Sequence, residues 1–127
     1  MTRGAPTGFT LIEILIVVVI IGLLATIVIP KFSSSRDKAL VTSMKSDLRN
    51  LMTQQEGRLA DSGSYATSFP ATIWRPTTGV TGPTIALTPD GWTASVGHLS
   101  STKTCAIFVG TTPLTPATKE GVPTCTQ

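Results

Sequence analysis

The stretch that decides the fold is Phe9–Ile29, FTLIEILIVVVIIGLLATIVI. Sixteen of its twenty-one residues are Ile, Leu, Val or Phe, and no polar stripe interrupts them. As a helix, residues 11–29 span about 28 Å, close to the thickness of the hydrocarbon core of a bilayer. Inserting the sixteen apolar side chains gains about 5–10 kcal/mol, which exceeds the cost of about 3 kcal/mol for the single carboxylate, Glu13. We therefore predict a membrane-spanning helix with Glu13 close to one end.

Ordinary signal-peptide cleavage does not suit this sequence. Arg3 supplies a basic start, but no small-residue cleavage site follows the apolar stretch, where Ile29-Pro30-Lys31-Phe32 stands. The stretch is also longer than the usual apolar region of a signal peptide. Basic residues lie on both sides of it, so charge alone does not fix its orientation in a membrane.

Residues 31–61 are predicted to be the amphipathic half of the same helix. Their apolar side chains recur at spacings that keep them on one helical face, with charged residues, Asp47 among them, at the other positions. These apolar residues are Phe32, Leu40, Met44, Leu48, Leu51, Met52 and Leu59. Pro30 removes one helical hydrogen bond, so a kink is expected at about 26–30. The cluster Asp61-Ser62-Gly63-Ser64 predicts the end of the helix.

The last 66 residues differ in composition, with sixteen Thr, seven Pro and only five charged side chains. Residues 62–83 are predicted to be a connecting loop, attached to the helix by its large apolar side chains, Tyr65, Phe69, Ile73 and Trp74. Residues 84–127 are predicted to form an antiparallel sheet of three or four strands and a loop-like tail. In both central segments the side chains alternate between two faces: Trp92, Ala94 and Val96 with Thr93 and Ser95, and Cys105, Ile107 and Val109 with Ala106 and Phe108. The fold class is α+β, with the sheet covering the apolar face of the helix.

Cys105 and Cys125 are the two cysteines of the chain. They could remain free thiols. A domain that follows a membrane anchor lies outside the cytosol, however, where disulfides form and persist. We therefore predict a Cys105–Cys125 disulfide, worth about 3 kcal/mol in the chain-entropy model.

No pattern in the chain indicates catalysis. There is a single histidine, His98, no further ligand beside the two cysteines for a zinc site, no glycine-rich phosphate loop and no nucleophile elbow. The acidic residues of the second half are dispersed, so a calcium site would need backbone oxygens. The net charge of +3 is scattered along the chain and argues against a nucleic-acid partner. The sequence therefore favours a protein that is not an enzyme and holds no metal or cofactor.

The segment Gly8-Phe9-Thr10-Leu11-Ile12-Glu13 and the apolar run after it resemble the processing and assembly motif of type IV pilins and the related pseudopilins. The resemblance covers residues 1–60. It implies that a prepilin peptidase cuts between Gly8 and Phe9, removes the leader 1–8 and N-methylates Phe9. The mature chain would keep 9–30 as its membrane and assembly helix, and the rest would lie beyond the inner membrane.

The resemblance also implies an assembly role for Glu13. An unpaired carboxylate is costly in hydrocarbon, and the new amine of Phe9, in the same chain or a neighbouring subunit, is the expected partner. A protonated Glu13 is the alternative. Gly22 and Pro30 bracket a segment that we expect to lose helical hydrogen bonds on assembly. The implied partners are other copies of the chain, the peptidase, the inner-membrane assembly machinery and, before assembly, membrane lipid.

Three functions fit this resemblance to different degrees. A structural pilin of a type IV pilus is favoured, because a cysteine-closed tail and Thr-rich strands suit an extracellular surface. A pseudopilin of a type II secretion system is the alternative, although its major members carry calcium ligands instead of such a disulfide. A membrane-anchored binding domain or enzyme fits least. The first two predict an inner-membrane protein that ends in an extracellular pilus or a periplasmic pseudopilus.

Overall fold

The computed structural model describes residues 8–127, which divide into two compact units at Arg36. One helix, α1 (Leu11–Ser62), contributes its first part to the first unit and its remainder to the second. The second unit also contains a four-stranded sheet, which confirms the predicted α+β class. Its strands are β1 (Val80–Thr88), β2 (Gly91–His98), β3 (Ser101–Val109) and β4 (Thr124–Cys125).

The end of α1 lies where the breaker cluster predicts it. Gly63 has a φ of 69°, and its N–H donates to the carbonyl of Leu59 at 2.8 Å. A glycine in this left-handed conformation commonly terminates a helix, because it has no Cβ to clash.

The sheet has the strand order β1-β2-β3-β4, with every neighbouring pair antiparallel. Trp92 is paired with Val109, Ala94 with Ile107 and Val96 with Cys105, so these side chains share one face. That face packs on the fully buried helix residues Met44, Leu48 and Leu51. The predicted packing of the sheet against the apolar face of the helix is therefore confirmed.

The boundary predicted between the connecting loop and the sheet is wrong by four residues. β1 begins at Val80 rather than Thr84, because a register shift between Thr81 and Thr84 accommodates Gly82 and Pro83 within the strand. Proline is tolerated in an edge strand at such a bulge, whereas the sequence pattern treats it as a loop signal. Gly82 has a φ of 98°, and a Cβ there would lie 3.0 Å from the carbonyl oxygen of Ser95.

The tail after β3 is closed by the Cys105–Cys125 disulfide, as predicted. The tail is not entirely loop as predicted, because Thr124 and Cys125 form the short strand β4, which pairs with β3. The tail also covers the outer face of β3, where Ala117 is buried with Ala106 and Phe108. Residues Cys105–Val109 are all apolar, which is typical of a strand buried on both faces. This pattern indicates that the outer face of β3 is covered as well.

The connecting loop is attached to the helix by two polar side chains as well as by apolar ones. Asp47 is only 4% exposed, and it accepts hydrogen bonds from the N–H and the hydroxyl of Thr77, both at 2.8 Å. Gln55 is fully buried; its amide donates to the carbonyl of Ala66 at 2.7 Å and accepts from the N–H of Ala66 at 2.9 Å. The assignment of Asp47 to the charged, outward positions of the helix was therefore wrong.

The apolar attachments of the loop are confirmed for three of the four residues. Trp74 is buried, while Tyr65 and Phe69 pack against the core. The ring of Tyr65 lies 6.4 Å from that of Trp92, centroid to centroid. Ile73 is 55% exposed, so its predicted role in attaching the loop is wrong.

Candidate processing and assembly segment

The start of α1 is fixed by a reciprocal pair of hydrogen-bonding side chains. The N–H and the hydroxyl of Thr10 donate to Oε2 of Glu13 at 2.7 and 2.8 Å, and the N–H of Glu13 donates to Oγ1 of Thr10 at 3.3 Å. This arrangement is a capping box, in which Thr10 precedes the first helical residue, Leu11. The carboxylate also lies in the first helical turn, where the helix dipole favours negative charge.

The observed partner of Glu13 differs from the expected one. In the described chain the nitrogen of Phe9 belongs to the peptide bond with Gly8, so it carries no amine, and Thr10 satisfies the carboxylate instead. Pairing with the Phe9 amine becomes available only after cleavage and stays a prediction. The role of Thr10 was not predicted, although the spacing Thr-x-x-Glu is the sequence signature of a capping box.

The predicted cleavage junction is open on the described side. Phe9 is 85% exposed, and a Cβ built on Gly8 would meet no atom within 4 Å. The packing of this chain therefore gives no reason for a glycine at this position. If a peptidase cuts at this junction as predicted, a requirement for Gly8 would come from that enzyme. The rest of the predicted leader, residues 1–7, lies outside the described residues.

The first part of α1 presents an apolar surface with no cover. Its large apolar side chains are 48% exposed at Val17 and up to 82% exposed at Leu11. By length and composition the helix can cross a membrane, with a mean hydropathy of 3.2 over its most apolar eighteen residues. A continuous apolar surface of this size marks contact with lipid or with other protein chains.

The predicted melting segment is helical in this structure. α1 is assigned as helix without a break through Gly22 and Pro30. Pro30 nevertheless lacks the N–H that would bond the carbonyl of Thr26, and a side chain at Gly22 would meet nothing within 4 Å. The hydroxyl of Thr26 donates to the carbonyl of Leu23 at 2.7 Å, a bond that competes with the helical ladder. The loss of helix on assembly, and the kink, stay predictions.

Three polar side chains of the second unit accept hydrogen bonds from neighbouring backbone N–H groups. Nδ1 of His98 accepts the N–H of Ser100 at 3.0 Å. Hydrogen bonds from the side chain and then the backbone of Thr111 hold the pKa of Asp90 below its usual value, and Glu120 accepts the N–H of Gly110 at 2.8 Å. Between Gly8 and Gln127, no group of three or more His, Cys, Asp or Glu side chains is placed to hold a metal ion.

Comparison with known proteins finds one family motif and two groups of similar proteins, type II secretion core proteins and type IV pilus proteins. Residues 6–29 match the family model of the prokaryotic N-terminal methylation motif. The chain is 42% identical to the type II secretion system core protein G of Pseudomonas aeruginosa over 65 residues, which are 51% of this chain and 46% of that protein. It is 41% identical to the type IV major pilin protein PilA of Myxococcus xanthus over 59 residues, 46% of this chain and 27% of the pilin.

A second pilin relative has a similar sequence identity to the chain. The type IV wide pilus major component PilA4 of Thermus thermophilus is 39% identical over 66 residues, 52% of this chain and 50% of that protein. The matched segments span about half the length of the type II secretion relatives, so the relationship rests on about half of each chain.

Proposed function

We propose that the chain is a member of the family of type IV pilins and type II secretion pseudopilins and, within that family, a pilin, the structural subunit of a type IV pilus. Members of this family are structural subunits rather than enzymes. The observation that carries the proposal is the uncovered apolar surface of Leu11–Ile29. In a monomer this surface needs lipid, and in a filament the same surface of other copies can replace the lipid.

The proposed sequence of events starts in the inner membrane. The leader 1–8 stays cytoplasmic, a prepilin peptidase cuts between Gly8 and Phe9, and Phe9 is N-methylated. The inner-membrane assembly machinery then moves the subunit out of the lipid, and the apolar halves of many copies form the core of an extracellular filament. The low charge and high Thr content of residues 62–127 suit a surface displayed outside the cell.

Glu13 is proposed to guide assembly after cleavage. Its carboxylate already lies one helical turn from Phe9, held by Thr10 in the uncleaved chain. When the cut creates a cationic amine at Phe9, that amine becomes the strongest local partner for the carboxylate, because both are otherwise desolvated in hydrocarbon. A neighbouring subunit can offer the same amine, which gives each incoming copy a defined axial position.

The proposal is tested on material sheared from cells. We expect electron microscopy to show filaments, and the intact mass of their subunit to start at methylated Phe9 with two hydrogens missing for the disulfide. Filaments that lack this chain would contradict the pilin assignment, as would a subunit mass that includes residues 1–8.

Two substitutions separate processing from assembly. Gly8→Val should leave the chain uncleaved, because the junction then carries a branched side chain; Gly8→Ala is the milder control. Glu13→Val should leave the chain inserted and cleaved but abolish filaments, and Glu13→Asp, which keeps the charge on a shorter arm, should retain part of the assembly. Normal filaments from Glu13→Val would contradict the role given to the carboxylate.

A pseudopilin of a type II secretion system is the second candidate. The observation in its favour is the 42% identity to a type II secretion core protein. The two candidates differ in where the filament ends and in what stabilises the tail. Filaments confined to the periplasm, or folding that depends on calcium, would favour the pseudopilin, whereas extracellular filaments that persist in a chelator would favour the pilin.

A further inference from the structure

Among residues 8–127, β1 has no strand on its outer side, and the two halves of this edge differ in their capacity to pair. β1 is the outermost strand, so every second residue directs its N–H and C=O away from β2. The first half is protected by the bulge at Gly82 and Pro83, which interrupts a regular ladder. The second half, Thr84–Thr88, is in unbroken register with β2 and contains no proline and no charge.

The same five residues leave apolar surface uncovered on the helix-facing side of the sheet. Ile85 is paired with Ala94 and Leu87 with Trp92, so both point to the face that forms the core. Ile85 packs on the core, but Leu87 is 50% exposed. A strand added outside β1 would extend this face and cover Leu87.

The sequence of this edge is complementary to itself. In an antiparallel pair of two identical Thr-Ile-Ala-Leu-Thr strands centred on Ala86, each Thr84 lies opposite a Thr88, each Ile85 opposite a Leu87, and the two Ala86 residues face each other. Thr–Thr and aliphatic cross-strand pairs are favourable, and the absence of charge removes the like-charge repulsion that normally protects an edge.

We propose that Thr84–Thr88 is a self-association edge, on which the β1 strand of a second copy of this chain adds antiparallel to form one continuous sheet across a two-fold axis. Such a contact is closed after two copies, because each copy uses the same surface. It is therefore separate from the repeating head-to-tail contacts that a filament requires. It joins two unassembled subunits, or one subunit in each of two filaments.

The contact is small, so it needs a high local concentration of the chain. Five paired residues bury much less than the roughly 1,000 Å² expected of a stable interface, so the pair should be weak between copies free in solution. The two-fold axis of an antiparallel strand pair is perpendicular to the sheet, so it reverses the direction of the α1 residues packed on that sheet. The pair therefore forms between copies in two facing membranes rather than in one. Many copies on each of two facing membranes raise the effective concentration, which increases pairing without any new contact. This step rests on the membrane anchor of the proposed function, whereas the geometry of the edge does not.

The test is cysteine cross-linking of the full-length chain in liposomes that are pelleted into contact with one another, in the absence of assembly machinery. The native cysteines are joined to each other, so one added cysteine is the single free thiol of the described residues. Across the two-fold axis, paired Cα atoms lie about 4.5–5.5 Å apart, within disulfide range. Ala86→Cys should therefore give a disulfide-linked dimer under mild oxidation, at least tenfold faster than Thr102→Cys, an exposed strand position away from the edge.

A second comparison tests the register of the proposed strand pair. Thr84→Cys alone and Thr88→Cys alone should cross-link slowly, since each is displaced by four positions, about 13 Å, from its own symmetry mate. A mixture of the two should form the heterodimer rapidly. Adding Ala86→Lys to both the Thr84→Cys and the Thr88→Cys chains should abolish that heterodimer, because it brings two ammonium groups together on the two-fold axis.

Equal cross-linking at Ala86 and Thr102, or equal rates for the single variants and the mixture, would overturn the proposal. Filament formation is scored separately in cells. A loss of filaments in Gly8→Val with intact cross-linking in liposomes would leave the edge contact standing. The converse result, filaments without any register-specific cross-link, would remove the edge contact and leave the pilin assignment intact.

Discussion

At the scale of single residues, two polar side chains on the core face of α1 organise the connecting loop. Met44, Leu48 and Leu51 define this face, and Asp47 and Gln55 lie on it at helical spacings of three and four from these residues. Hydrophobic patterning assigns polar residues to the outside by default. Here they are inside because the loop offers unpaired backbone groups at Ala66 and Thr77 that need partners.

Asp47→Ala tests the first of these attachments. It leaves the N–H and hydroxyl of Thr77 without an acceptor, and we expect the free energy of unfolding to fall by about 2 kcal/mol, the scale of hydrogen bonds to a charged group. Denaturant unfolding of the full chain in detergent measures this change. Asp61→Ala, an exposed position near the end of the same helix, is the matched control and should change stability by less than about 0.5 kcal/mol.

Thr10 provides the second prediction at this scale. Thr10→Val keeps the shape of the side chain but removes the hydroxyl that caps the helix, so the first turn should fray at a cost of about 1 kcal/mol. Hydrogen exchange at Glu13 and Ile14 should become faster, while Thr10→Ser should preserve protection. Unchanged exchange in Thr10→Val would show that the capping box does not hold this turn.

At the scale of elements, the helix and the two central strands could be predicted from the sequence because periodicity alone specifies them. The apolar run of α1, its end at Gly63 and the pairing of Trp92–Val96 with Cys105–Val109 all follow from spacing and turn residues. The start of β1 could not be placed, because Pro83 is compatible with a strand only where the neighbouring edge is free. That condition depends on the strand order and not on local sequence.

The disulfide supports a prediction about one element, the tail. Replacing Cys105 and Cys125 by alanine should lower the free energy of unfolding by about 3 kcal/mol through the loss of loop closure. Hydrogen exchange should rise most at Thr126, whose N–H donates to the carbonyl of Thr104 across the tail. The amides of α1 near Leu48 serve as an internal control and should keep most of their protection. Equal exchange throughout would mean that the bond stabilises the whole unit rather than the tail.

At the scale of the whole molecule, the chain combines a unit with a complete core and a helix segment that has none. The second unit buries its own core, from Met44 to Ile107. The first presents apolar side chains along its length. The candidate processing segment could be located from the sequence because Gly8, Phe9 and Glu13 form a compact motif. The helix capping by Thr10 and the edge Thr84–Thr88 were not predicted, since each depends on geometry between residues.

Pro30 provides the prediction at this scale, because it directly follows the apolar stretch of α1. Pro30→Ala restores the missing N–H and should stabilise helix from Gly22 onward by about 3 kcal/mol. If assembly requires this segment to open, the variant should insert and be cleaved normally but yield several-fold fewer filaments in sheared fractions. Gly57→Ala, which also raises helix propensity at an open position of α1, is the control and should assemble normally.

The predicted loss of helix between Gly22 and Pro30 would have a mechanical consequence. A residue advances about 1.5 Å in a helix and about 3.3 Å when extended. Nine residues that pass from one form to the other therefore add about 16 Å to the contour of a subunit. A fibre built from such subunits would stretch under tension by unwinding short segments inside its core, while the disulfide-closed units on its surface keep their shape.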